Sequence, residues 1–228
     1  MKALERLQDA RAAIQQCDYE RALEQLIWFH NHALEEDVAL RGVRLSFALA
    51  DWVKLGELYP EALQVLRSVR DEKTSKLLSG SGTRQDFIDV SAVNDYLEEV
   101  AATYELFGHV KKNGGSLADE CSRWALPSIV AAQDFALAKK VYGDPVAVLR
   151  SLSDSLNEDI DWIRKRPDKH RDATLDAVVT NYIEDVRMLL STFESTDGEQ
   201  RRKSLARFAA ERIRDAECRT KVASGVGA

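Results

Sequence analysis

Asp18-Tyr19-Glu20-Arg21-Ala22-Leu23, Leu58-Tyr59-Pro60-Glu61-Ala62-Leu63 and Asp134-Phe135-Ala136-Leu137-Ala138-Lys139 read alike. Each places an aromatic residue three positions before an alanine, and each opens a helical pattern just after another has ended. Tyr19 and Tyr59 lie 40 residues apart, and Phe135 follows 76 residues after Tyr59. A unit of about 38 residues that recurs in this way marks stacked helix pairs. Stacks of that kind present extended binding surfaces.

Working outward, apolar residues keep helical spacing almost everywhere and no stretch reads as a strand. Helices are expected over about 2–15, 18–35 and 38–55, with Asp18 as N-cap of the second. Gly56 ends the third, and Tyr59-Pro60 opens a fourth that runs to about 71. Ser79-Gly80-Ser81-Gly82 reads as a flexible loop between two helical blocks. Thr83 with Asp86 has the spacing of a capping box and starts one acidic helix over about 84–109. Asn113-Gly114-Gly115 is a turn. Ser116 with Asp119 opens the next helix, and Gln133-Asp134-Phe135 a shorter one. Asp144-Pro145 starts a helix that stops before Pro167. Over about 170–194, Leu175, Val179, Tyr182, Val186, Leu189 and Phe193 are spaced 4-3-4-3-4. That is a packing seam for another helix, in the same chain or in a second copy. A last helix over about 199–220 precedes a frayed tail from Ser224 onward. The blocks 1–78, 84–143 and 144–222 then form one continuous all-α domain, the last block being a three-helix segment.

Scarce glycine and proline (11 and 4) agree with helix throughout. No run approaches the length of a membrane span. The amphipathic start Met1-Lys2-Ala3-Leu4-Glu5-Arg6 has no apolar leader. Cys17, Cys121 and Cys218 are far apart and suit a reducing, cytoplasmic setting. The net charge of −6 is uneven: 1–78 carries −2, 79–197 carries −8 and 198–228 carries +4. An acidic protein repels nucleic acid unless a basic patch dominates. Such a patch exists only in the last helix, with Arg201, Arg202, Lys203, Arg207, Arg212, Arg214 and Arg219. It lacks interleaved aromatics for stacking on bases. Docking on the acidic middle block or on a partner protein is the expectation.

Cys17-Asp18-Tyr19 with Ala22, Gly56 and Tyr59 with Ala62, and Gln133-Asp134-Phe135 with Ala138 and Tyr142 resemble the inter-helix turns of tetratricopeptide repeats. Leu49-Ala50 and, more loosely, Ala125-Leu126 sit where that family has its first-helix Leu-Gly pair. The family's first-helix tryptophan and its closing proline are missing, and the block 84–109 does not match. The resemblance spans about half the chain at the repeat period. It implies a superhelix whose first helices line a concave groove, with Arg11, Arg44, Phe47, Asp51, Lys54 and Arg123 facing inward. Arginine and lysine there would clamp a carboxylate or an acidic peptide.

Trp28 and Trp162 sit on faces that otherwise read polar. Trp28 has Glu24, Asn31, His32 and Glu35 at helical spacing; Trp162 has Glu158, Asp159, Lys165 and Arg166. Exposed tryptophans anchor interfaces, although packing against a neighbouring helix pair explains them as well. His30-Asn31-His32 places its histidines at i and i+2, which do not share a helix face, so they make a poor metal grip. His109 and His170 stand alone. The cysteines lack metal spacing, and no phosphate loop, nucleophile elbow or Glu-x-x-His pair occurs. The expectation is a non-catalytic protein-binding adaptor without cofactor or metal, whose partner is acidic or presents carboxylates. An immunity-type or inhibitory protein that plugs one toxin or enzyme is the alternative. A helical metal-dependent enzyme acting on a phosphate or nucleotide is the second.

Overall fold

A computed structural model describes residues 2–113, 115–165 and 171–228. Gly114, Arg166, Pro167 and His170, each given a part in the sequence reading, lie outside the described residues. Helix accounts for 86% of the structure, and no strand occurs among the described residues. The chain divides into two compact units, 1–128 and 129–228.

The first unit opens with α1 (Ala3–Gln15) and α2 (Tyr19–Glu36) packed on each other. Ala3, Leu7, Ala10 and Ala13 recur on one face of α1 and are all buried. Three alanines on that face let α2 approach closely, and Ala22, Leu26, Phe29 and Ala33 fill the contact from the other side. The third helix is not continuous. A 3-10 turn (Val38–Leu40) leads into a short α3 (Arg41–Leu45), the backbone breaks at Ser46, and α4 (Phe47–Leu58) follows.

Close packing joins α4 to α5 (Pro60–Leu78). A methyl group at Gly56 would overlap the Leu63 side chain, so glycine is needed where these helices cross. Trp52, fully buried, donates its Nε1–H to the Ala62 carbonyl at 2.9 Å. Tyr59-Pro60 opens α5 with proline in its first turn, in the register expected from the sequence.

The Ser79–Gly82 segment is a compact turn rather than a loose linker. Gly80 adopts φ +78°, and the N–H groups of Ser81 and Gly82 both donate to the Lys76 carbonyl. This ties α5 to α6 (Arg84–Tyr96), whose N-terminus carries the Thr83–Asp86 capping box. The long acidic helix expected over 84–109 is broken. Leu97, Glu98 and Glu99 turn the chain, and α7 (Val100–Lys112) restarts beyond them. The edge-on contact of Phe87 with Phe107, at 6.0 Å, closes the pair. Helix α8 (Leu117–Ala131) carries Pro127 inside it.

Three turns share one geometry. At Cys17, Glu98 and Gln133, φ lies near +58°. In each, the N–H of that residue bonds to a carbonyl three positions back, and the next N–H to one five back. This is the Schellman ending, usually built on glycine. It is followed at once by α2, α7 and α9 respectively. Asp18 occupies the N-cap of α2, but its side chain makes no capping bond. Asp134 does cap α9, through the Leu137 N–H.

The second unit holds α9 (Phe135–Tyr142), α10 (Pro145–Arg164), α11 (Arg171–Asp197), α12 (Glu199–Glu211) and α13 (Ala216–Val226). Asp144 caps α10. The seam of α11 is buried within its own chain: Val179, Tyr182, Val186, Leu189 and Phe193 are at most 4% exposed. Helices α9, α10, α12 and α13 cover it, so this seam offers no free face for a second copy. Its one polar side chain, Tyr182, donates to the Ala209 carbonyl and pairs with Ser153. The last helix is two helices. Asn157 bridges their junction, donating to the Arg212 carbonyl and accepting from the Arg214 N–H. The tail is ordered as far as α13, where Gly225 lies against Ile183.

Candidate partner-binding surface

On α4, Phe47, Asp51 and Lys54 follow at i, i+4 and i+7 and therefore share one face. Phe47 is 63% exposed although it is a large aromatic side chain. Arg11 reaches this face from α1 and donates its Nε–H to Asp51 at 2.7 Å. The pair is solvent-exposed and contributes little to stability. It does neutralise Arg11. Lys54 is exposed and has no ion-pair partner among the described residues. Four of the six residues assigned to the inward row thus gather around the α1 and α4 faces. Arg123 stands apart on α8, exposed.

Arg44 does not belong to this surface. It is 4% exposed and sits at the centre of a buried polar cluster. Its two terminal nitrogens bind both oxygens of Asp89 at 2.6 and 2.7 Å, and its Nε–H donates to the His30 carbonyl. Lys73 reaches the same carboxylate, and Gln85 donates to it at 2.8 Å. A guanidinium enclosed in this way cannot meet a partner's carboxylate. The reason is local: the break at Ser46 ends α3 at Leu45, one residue after Arg44, which leaves Arg44 between α2 and α6.

The cluster also sets protonation states. Burial alone would raise the Asp89 carboxyl; Arg44 and Lys73 outweigh it and hold the group well below the usual carboxylate range. Burial, together with the Arg44 charge, pushes His30 down to about 3. The imidazole is therefore neutral near neutral pH. Its Nε2 lies 3.1 Å from Arg44, which can only donate, so the ring proton sits on Nδ1. That Nδ1 is buried without a hydrogen-bond partner. The Trp52 ring stands nearly perpendicular to His30 at 5.9 Å. Sequence reading missed Lys73 and Asp89. The available signal was Asp89 itself, a lone carboxylate inside the apolar run Phe87-Ile88-Asp89-Val90.

The tryptophans divide. Trp28 is half-buried beneath its own chain: the Arg6 guanidinium lies 4.1 Å from the ring centroid and His32 at 5.2 Å. It is no open anchor. Trp162, on α10 in the second unit, is 54% exposed. His32 is half-buried and pairs with Glu35 at 3.0 Å, on a different side of α2 from the buried His30. No group of three or more metal-ligating side chains occurs among the described residues. The basic last segment is largely paired within the second unit. Arg212 binds Asp154, Arg214 binds Asp161, Lys221 binds Asp176, and Arg164 reaches back to Asp215 and Glu217. Its acidic partners are thus mostly on α10 and α11.

Among the described residues, no helix is long and apolar enough to cross a membrane. The chain matches no family model, no curated protein and no solved structure.

Proposed function

We propose that this is a non-catalytic binding protein whose first unit is a tetratricopeptide-like stack of helix pairs, and that it holds a partner protein against the α1/α4 face. The observation that carries the reading is Phe47, 63% exposed on the same face of α4 as Lys54, which has no ion-pair partner among the described residues. Aromatic side chains are enriched at the centre of an interface, and a charge on its rim sets which partner is accepted. Lys54 favours a partner that presents a carboxylate close to an apolar contact, which makes an adaptor for an acidic segment the best-supported role.

The stacking itself is supported by equivalent residues meeting. Tyr19 and Tyr59, one repeat apart, stack at 6.1 Å with planes inclined by 25°. Ala22, Ala62 and Ala138, the small residues of the three recurring segments, are all fully buried.

The test is photo-crosslinking from a benzoylphenylalanine placed at position 47 in the full chain, in extract of the native cell. The expected result is a discrete adduct that disappears with Lys54→Glu and persists with Arg219→Glu on the second unit. Adducts that ignore Lys54→Glu would sink the proposal.

A further inference from the structure

A groove of about 310 Å³ opens in the first unit among α3, α6, α7 and α8. Leu45, Ile88, Ala92, Val100, Trp124 and Pro127 give it an apolar lining. Two local irregularities accompany it. The chain leaves α6 after Tyr96 and restarts at Val100 through the left-handed Glu98. Pro127 has no N–H to give the Arg123 carbonyl, and one residue on, the Trp124 carbonyl accepts from Ser91 Oγ of α6 at 3.3 Å. Trp124 lines the groove and still remains 39% exposed.

Among the described residues, the only charged side chain in the lining is Asp95. Its neighbours on α6 have their charges met: Asp86 by Lys73, and Asp89 by both Lys73 and Arg44. Asp95 is exposed, and no cation pairs with it among the described residues.

We infer that the groove takes the apolar face of an amphipathic helix from another protein, and that a lysine or arginine of that helix pairs with Asp95. The described residues contain no strand edge for an extended peptide to join. A groove walled by helices suits helix-in-groove recognition, with anchors at i, i+3 or i+4. Its volume lies at the lower end of the range for small-molecule sites, about 300–1,000 Å³, and accommodates a few apolar side chains. A single unpaired carboxylate beside an apolar wall also discriminates: an acidic helix would meet repulsion there. This preference is opposite in sign to that of the α1/α4 face, and the two surfaces share no residue.

The immobilised full chain is used to select from a displayed library of random amphipathic helical peptides. Selected peptides are then titrated against the parent, Asp95→Lys and Trp124→Ala, with circular dichroism to verify folding. The expected peptides carry clustered apolar residues with one lysine or arginine. Asp95→Lys weakens them at least tenfold, and replacing the peptide's cation by glutamate restores binding to Asp95→Lys. Trp124→Ala weakens them as well, whereas Phe47→Ala leaves their affinity unchanged, separating this groove from the α4 surface. Three results would overturn the inference. One is a library that yields no binder. Another is selected peptides indifferent to both groove variants, or lacking the charge-swap rescue. The third is self-association of the chain that Trp124→Ala abolishes, which would give the groove to a second copy.

Discussion

Arg44 and Asp89, 45 residues apart in sequence, form a two-point ion pair inside the first unit at 2.6 and 2.7 Å. Charges buried this way are costly to uncouple, because the remaining partner stays in the interior without compensation. Arg44→Met should therefore destabilise by about 3–5 kcal/mol. Arg11→Ala, which breaks only the exposed pair with Asp51, should stay within about 1 kcal/mol. Urea titrations followed by circular dichroism compare the two. Equal, small losses would mean that the cluster is hydrated and open.

The same cluster makes the first unit acid-labile from a distinctive starting point. His30 is held neutral, down to about 3, whereas an unfolded histidine takes its proton near 6.5. A depressed folded-state value means that stability is fully present above about pH 6.5. It is lost as pH falls through the window toward 3, because the unfolded chain binds the extra proton. The slope is about 1.4 kcal/mol per pH unit within that window. Asp89 adds a loss of the same sign, which begins as pH falls into the ordinary carboxylate range and continues below it. His30→Gln keeps an acceptor for Arg44 and removes the titration. Its denaturation midpoints at pH 7.5, 6 and 5 should converge, while those of the parent separate. A parent flat over that interval would show that His30 titrates alike in both states.

These two residues also mark where sequence reading stops. The period of about 3.6 in apolar residues made the helices legible, and the 4-3-4-3-4 seam of α11 is buried as that spacing requires. The aromatic-x-x-alanine segments put Tyr19 and Tyr59 at matching places, and they touch. Arg44, in contrast, was placed by repeat register alone. A lone arginine in a helical pattern reads as surface until its counter-charge is known, and Asp89 lies on a different helix. The break at Leu97–Glu99 was invisible for a related reason. A left-handed turn without glycine or proline leaves no compositional mark, so Glu98 read as the middle of a helix.

Those left-handed turns supply a third prediction. Cys17, Glu98 and Gln133 hold φ near +58° with a Cβ present. That conformation costs an L residue about 1–2 kcal/mol. Glycine removes the strain and returns part of the gain as chain entropy, about 0.5–1 kcal/mol. Each of Cys17→Gly, Glu98→Gly and Gln133→Gly should raise stability by up to about 1 kcal/mol. The melting temperature should rise with each and further when the three are combined, since the three turns share no hydrogen-bond partner. The complementary change, Gly80→Ala at φ +78°, should lower it. A fall on glycine substitution at all three turns would remove the argument for a shared turn geometry.

The last prediction concerns α11, whose seam was also the candidate for self-association. Leu189 and Val186 are fully buried against the rest of the second unit. Leu189→Ala removes apolar contacts and leaves a cavity that close-packed neighbours fill only in part, costing about 2–5 kcal/mol. Tyr182→Phe acts differently. It deletes the hydroxyl that donates to the Ala209 carbonyl and meets Ser153, which leaves a buried acceptor unpaired at about 1–3 kcal/mol. Both losses should be independent of protein concentration, because the seam is covered within one chain. Melting curves across a hundredfold dilution series provide the check. A midpoint that falls on dilution in the parent, and loses that dependence in Leu189→Ala, would return the seam to an interface between copies.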